Sequence, residues 1–156
     1  MALENLGNLD HETADALREL LEINIDSSKG FRQAADTIED ERTAGLFREF
    51  AQQRERFAHE LRDTLQVARV EIEEKGSALG AAHRWWLDLR GKLAGGDAGA
   101  VLDEAERGEN HITEKYERVL PRVAGNPLND VLLEQYAEIK RARDRIHALR
   151  DTERAS

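Results

Sequence analysis

The sequence predicts an all-α protein: four long amphipathic helices in a bundle, with a shorter helix between the second and the third. Three observations predict this class. Apolar residues recur every three or four positions over long stretches, charged residues make up 35% of the chain, and proline occurs only twice. This combination is typical of helices with one buried and one solvated face. Because 156 residues suffice for a single core, we predict one domain over residues 1–156.

The N-terminal half predicts two long helices, over about residues 10–39 and 41–74. The predicted buried line of the first is Leu17, Leu20, Asn24, Ser27, Phe31, Ala34 and Ile38. That of the second is Phe47, Phe50, Arg54, Phe57, Leu61, Leu65 and Ala68. Asp40 is the predicted N-cap of the second helix, and Gly76 is its predicted end.

The C-terminal half predicts a short helix over about residues 77–94 and two further long helices, over 98–120 and 127–151. The predicted buried line of the third long helix is Val101, Ala105, Glu109 (or Gly108), Ile112, Tyr116 and Val119, of which Tyr116 is expected only to pack. The fourth buries Leu128, Leu132, Gln135, Ile139, Ala142, Ile146 and Leu149. Gly125, Asn126 and Pro127 supply the terminator, the N-cap and the first residue of that helix.

Loop lengths predict how the helices are connected. Short loops join the first helix to the second and the third to the fourth, so each of these pairs should form an antiparallel hairpin. The long connection between the second and third helices can cross the bundle and make those two parallel. That is the ferritin-like arrangement of a four-helix bundle, with a short helix in the long crossover.

Composition excludes several classes of function. The chain has no cysteine, which excludes disulfides, thiolate metal sites and cysteine nucleophiles. Its formal net charge of −9 argues against binding to nucleic acid, a polyanion. No stretch approaches the ~20 apolar residues of a membrane span, and the N-terminus lacks the pattern of a secretory signal. We therefore expect a cytoplasmic protein without nucleic-acid or membrane partners.

Several separated segments resemble a bacterial family of ferritin-like bundles whose function is unassigned. They are Leu21–Asp26, Gly30–Ala35, Phe47–Arg54, His83–Trp86, Glu104–Glu109 and Gln135–Glu138. The resemblance extends from about Leu17 to Asp151. It implies the ferritin-like fold and brings no established activity.

Ferritin-like di-iron sites place one Glu on each of two helices and Glu-x-x-His on each of the other two. The candidate metal ligands here are Glu22, Asp26, Glu106, Glu109, Asp144 and His147. The second helix breaks the motif, since Arg56 stands three residues before His59. Helical phase also turns several of the candidates towards solvent. We therefore predict a degraded metal site and no bound cofactor, with iron or manganese as the alternative.

Polar residues on the apolar lines predict a polar layer inside the bundle, made of Asn24, Arg54, Glu109 and Gln135. Our hypothesis is an Arg54–Glu109 ion pair, held by Asn24, at the level where related bundles bind metal. The guanidinium would replace the charge of the metal ion. The alternative is that Arg54 extends between the helices to solvent.

These observations favour a non-catalytic bundle that acts through association, as a stress-related or partner-binding protein. The alternative is a di-iron or other metal-binding ferritin-like protein with storage or oxidase chemistry. Whether the protein is an enzyme stays open, and no residue is predicted to be catalytic. On the crossover helix the apolar spacing turns Trp86 towards the bundle, so Trp85 lies at its edge. There it either forms a homodimer interface through the crossover helix or is a partly covered residue packed under it.

Overall fold

A computed structural model describes residues 9–72, 91 and 98–155 of the chain. The described residues form four long helices and no strand, which confirms the all-α class. They are α1 (His11–Thr37), α2 (Glu41–Val67), α3 (Ala98–Val119) and α4 (Leu128–Ala155). A 3-10 turn (Leu120–Val123) follows α3 directly. Apart from Gly91, the predicted crossover helix over residues 77–94 lies outside the described residues, and so does the predicted dimer contact at Trp85.

The first two helices begin at aspartate caps. Asp10 accepts a hydrogen bond of 2.7 Å from the backbone N–H of Thr13, and Asp40 accepts one of 3.1 Å from that of Thr43. Each cap satisfies a backbone donor that has no partner within the first turn. The hydrogen bonds from Thr43 also lower the pKa of the Asp40 carboxyl. The predicted cap at Asp40 is thus present.

Helix α2 ends at Val67, about seven residues before its predicted end. Arg69 adopts a left-handed conformation with φ of 58°, and its N–H donates to the carbonyl of Gln66. The N–H of Val70 donates to the carbonyl of Leu65 at 2.9 Å. This is a Schellman motif. The prediction over residues 41–74 was wrong here because the left-handed position holds an arginine in place of the usual glycine.

The C-terminal helices lie within a few residues of their predicted bounds. Gly125 has φ of +81°, a conformation that favours glycine. The Asn126 side chain then accepts a hydrogen bond of 3.0 Å from the backbone N–H of Leu128, the first residue of α4. At its other end α4 reaches Ala155, four residues beyond the prediction.

Two hairpins make up the bundle. Within the first, Arg32 of α1 pairs with Glu55 of α2 at 2.7 Å. Within the second, Asp103 of α3 pairs with Arg150 of α4 at 3.0 Å. In each hairpin the chain turns back on itself through a short loop, so the two helices are antiparallel.

Contacts between the hairpins fix the relative direction of all four helices. Glu12 and Asn24 of α1 bond to Arg122 and Tyr116, so α1 is antiparallel to α3. On the other side, α2 is antiparallel to α4, since Glu49 and Arg56 bond to Arg145 and Glu138. It follows that α2 and α3 run parallel along one diagonal of the bundle.

The core consists of two apolar clusters, one towards each end of the bundle. The first core cluster is Leu17, Leu20, Leu21, Phe57, Ala58, Leu61, Leu65, Ala68, Ile112, Tyr116, Val119, Val123, Leu128, Leu132 and Ile139. The second is Phe31, Ala34, Ala35, Phe47, Phe50, Ala51, Val101, Leu102, Ala105, Ala142 and Ile146. On α1, α2 and α3 the clusters are separated by buried polar residues: Asn24, Arg54 and Glu109. The polar positions therefore lie between two apolar ends.

Among the described residues, no helix is both long enough and apolar enough to cross a lipid bilayer.

Candidate functional site: a buried polar layer

The centre of the layer is an ion pair between Arg54 on α2 and Glu109 on α3. The guanidinium donates two hydrogen bonds, from Nη1 to Glu109 Oε1 at 2.6 Å and from Nη2 to Oε2 at 2.5 Å. The two side chains are 0% and 1% exposed. This bidentate geometry satisfies both carboxylate oxygens, which a buried carboxylate requires. In this structure Arg54 points inward and does not extend to solvent.

Three neighbours hold the Arg54 side chain in place. Its Nη1 donates to Ser27 Oγ on α1 at 3.2 Å, and its Nε donates to the Gln53 side chain at 3.1 Å. Its guanidinium carbon lies 5.7 Å from the centre of the Phe31 ring, within the range of a cation–π contact. The expected support from Asn24 is not present. Ser27 takes that position because it lies one turn further along the same face of α1.

Asn24 belongs to a separate hydrogen-bond network, which is centred on Tyr116. The Asn24 amide donates to the carbonyl of Leu20 at 2.8 Å and to the Tyr116 hydroxyl at 2.9 Å. The Tyr116 hydroxyl in turn donates to Gln135 Oε1 at 2.7 Å. The prediction that Tyr116 only packs was therefore wrong. A fully buried tyrosine hydroxyl needs a polar partner, and two polar residues on the neighbouring buried lines were the available signal.

The hydrogen-bond network of Tyr116 reaches the edge of the bundle through Gln135. Its Nε2 donates to the carbonyl of Phe57 at 3.5 Å and to Glu60 Oε2 at 3.3 Å. Glu60 is only partly buried, so this hydrogen-bond network runs from the interior towards solvent between α2 and α4. Burial raises the pKa of the Tyr116 hydroxyl above its ordinary range, so the phenol stays protonated at neutral pH.

One buried polar atom in this layer has no hydrogen-bond partner, the Asn24 carbonyl oxygen Oδ1. The amide orientation is fixed by its neighbours, because the carbonyl of Leu20 can only accept a hydrogen bond. The unpaired oxygen lowers the stability of the layer relative to a fully bonded one.

The six predicted metal ligands do not converge on one site. Glu109 has both oxygens bound to Arg54, and Asp144 is exposed on α4. Glu22 and Asp26 lie on α1, both partly exposed. Within the part of the chain that the structure describes, no three His, Asp or Glu side chains are placed to hold one metal ion. The described residues therefore do not fit a di-iron site.

Glu106 and His147 do meet, in a cluster of charges between α3 and α4. His147 Nδ1 lies 2.9 Å from Glu106 Oε1, and its Nε2 lies 3.3 Å from Asp151 Oδ2. Arg150 also bonds to Glu106 and places its positive charge beside the imidazole. A cation already occupies the position that a metal ion would need. The arrangement joins two helices electrostatically.

Asp26 has a perturbed carboxyl group. Burial raises its pKa from 3.8 to about 6, the Lys29 ammonium opposes this shift, and the Glu22 carboxylate adds to it. Asp26 is thus a partly buried acid on α1 that carries its charge at a cost near neutral pH.

Comparison with known proteins places the chain in a family. Residues 12–122 match the family described as a domain of unknown function, DUF2383. The chain belongs to this family. The DUF2383 match includes Asn24, Ser27, Arg54, Glu109 and Tyr116, whereas α4 with Gln135 lies beyond it. Like the predicted resemblance, the description assigns no function. No curated protein matches the chain.

Proposed function

We propose that this DUF2383 protein is a non-catalytic, ferritin-like bundle that acts by binding partner proteins, in a stress-related role. The observation that carries the proposal is the commitment of Glu109 to Arg54. In a ferritin-like metal site, carboxylates from the helices converge on cations in the middle of the bundle. Here the guanidinium provides the positive charge at mid-bundle, and both oxygens of the carboxylate are bound to it.

The direction of the helices supports the ferritin-like part of this proposal. Helices α2 and α3 run parallel, and two parallel helices need a connection that returns over the length of the bundle. One such long connection distinguishes ferritin-like bundles from up-down-up-down bundles with short loops. The buried polar layer at mid-bundle is the second point of similarity.

The absence of converging ligands among the described residues supports the non-catalytic part. Of the candidate ligands, Glu106 bonds to His147 and Arg150, and Glu109 bonds to Arg54. A metal ion at either place would have to displace an arginine that already neutralises the carboxylate. That exchange gives up two or more charge-assisted hydrogen bonds for each ion bound. Binding of iron or manganese is the alternative function.

Elemental analysis separates the two functions. The protein is purified without chelator, and a second sample is loaded with ferrous iron under anaerobic conditions and then desalted. We expect no retained metal in either sample. Near-stoichiometric iron or manganese, lost in Glu106→Gln, Glu109→Gln or His147→Ala, would contradict the proposal and establish the metal-binding alternative. His59→Ala serves as the control, because His59 is exposed on α2.

A further inference from the structure

A groove lies between the first half of α1 and the end of α3. It has a volume of about 370 Å³. Its floor is apolar, because Leu20 and Val119 belong to the first core cluster and Ala16 packs against that cluster. The small side chain of Ala16 leaves the groove open. This volume lies at the lower end of the range of about 300–1,000 Å³ that is typical of small-molecule sites.

The two walls of the groove carry opposite charges. Their charged residues are Glu12, Asp15 and Glu19 on α1, and Lys115, Arg118 and Arg122 on the facing wall. At one end of the groove Glu12 pairs with Arg122 at 2.9 Å, and at the other end Glu19 pairs with Lys115. Glu12 and Glu19 are seven residues apart, so the two ion pairs lie roughly 10 Å apart along α1. These closed ends favour a compact ligand over a chain that runs along the groove.

Between the two ion pairs, Asp15 and Arg118 do not bond to each other. Arg18, on the same helix as Asp15, donates a hydrogen bond of 2.5 Å to Asp15 Oδ1. Within the part of the chain that the structure describes, Asp15 Oδ2 accepts no hydrogen bond and Arg118 has no ionic partner. The middle of the groove therefore offers a guanidinium on one wall and a carboxylate oxygen on the other.

We propose that this groove binds a small zwitterion, a free amino acid with an apolar side chain. The carboxylate of the ligand accepts hydrogen bonds from Arg118, its ammonium group donates to Asp15 Oδ2, and its side chain covers Ala16. Hydrogen bonds between charged groups are stronger than those between neutral groups, so both ends of the ligand contribute. A ligand with a single charge pairs with one wall only. The site is separate from the buried polar layer and goes beyond the partner-binding function proposed above.

Three probes with the same hydrocarbon chain test the choice of ligand. They are norleucine, its deaminated analogue hexanoate and its decarboxylated analogue pentylamine. Each is titrated at low salt into nitrogen-labelled wild-type protein, and NMR follows the backbone amides of Ala16 and Val119. We expect saturable shifts with norleucine and an affinity roughly tenfold or more above that of either analogue, because only norleucine pairs with both walls. Either analogue binding as tightly as norleucine, or no saturable shift with any probe, would overturn the proposal.

Substitutions in the groove test where norleucine binds. Arg118→Gln removes the guanidinium and should weaken binding by roughly tenfold or more, and Ala16→Met should block binding by filling the floor. Arg107→Gln is the matched control, because Arg107 is an exposed arginine of the same helix that pairs with Glu104 away from the groove. It should bind norleucine as the wild type does. Arg118 is exposed, so its variant should keep the helical circular dichroism of the wild type. Unchanged affinity in Arg118→Gln would contradict the proposed site.

Discussion

Arg54 and Glu109 join α2 and α3 across the diagonal of the bundle, through two hydrogen bonds of 2.6 and 2.5 Å between fully buried groups. The backbones of these two helices approach each other at few positions, and the ion pair bonds them directly through the core. It also separates the two apolar clusters of the core.

The Tyr116 hydroxyl is predicted to contribute to stability through both of its hydrogen bonds. Tyr116→Phe leaves the Asn24 amide and the Gln135 carbonyl oxygen without this partner in the interior. We expect the free energy of unfolding, measured with urea, to fall by about 1–3 kcal/mol. Tyr136→Phe is the matched control, since the Tyr136 ring stacks on Tyr116 but lies only partly buried. An equal loss in both variants would show that the hydroxyl of Tyr116 has no special role.

The partly buried carboxyl of Asp26 should make the free energy of unfolding rise as the pH falls. The folded protein takes up a proton at about pH 6, and the unfolded chain does so only near pH 3.8. Stability from this group is therefore complete below pH 3.8 and is lost as the pH rises through about 6. Asp26→Asn should remove this slope and stabilise the protein at pH 7. At about 1.4 kcal/mol per pKa unit, the rise of the pKa from 3.8 to about 6 sets an upper limit of about 3 kcal/mol, and partial exposure reduces the expected gain to about 1 kcal/mol.

Urea unfolding at a series of pH values measures the effect of Asp26. Asp36→Asn, at an exposed position of the same helix, is the control and should keep the slope of the wild type. If Asp26→Asn were no more stable than wild type at pH 7, the carboxylate would not be destabilised by burial.

Replacing Arg69 at the end of α2 by glycine should stabilise the protein. Its φ of 58° lies in the left-handed region, which disfavours residues with a side chain. Arg69→Gly should raise the free energy of unfolding by about 0.5–1 kcal/mol, the strain relieved less the added freedom of the unfolded chain. Gln66→Gly, inside the same helix, should instead lower it by about 1 kcal/mol. A loss in both variants would argue against a Schellman end at Arg69.

The core and its polar residues could be predicted from spacing alone. The lines that begin at Leu17, Phe47, Val101 and Leu128 are buried or partly buried along their whole length. Helical periodicity determines which face is buried, so a polar residue on that face is visible in the sequence.

The hydrogen-bond partners within the polar layer were harder to predict than its members, because the partners depend on the axial register of the helices in each hairpin. We predict Asn24 as the α1 partner of Arg54, whereas Ser27 is the α1 residue that bonds to it. A displacement of about one helical turn thus puts Ser27 in the position expected of Asn24. The end of α2 at Arg69 could not be predicted from the sequence, since arginine favours the helix interior.

The central claim is that an ion pair between Arg54 and Glu109 stabilises the middle of this bundle, and a double-mutant cycle tests it most directly. Arg54→Leu and Glu109→Gln each leave a buried group without its charged partner, at an expected cost of about 3–5 kcal/mol. Combined, they should cost less than the sum of the two, with a coupling of about 1–3 kcal/mol. The exposed pair Arg32–Glu55 is the control and should show less than about 1 kcal/mol. Single variants as stable as wild type, with additive effects when combined, would contradict the claim.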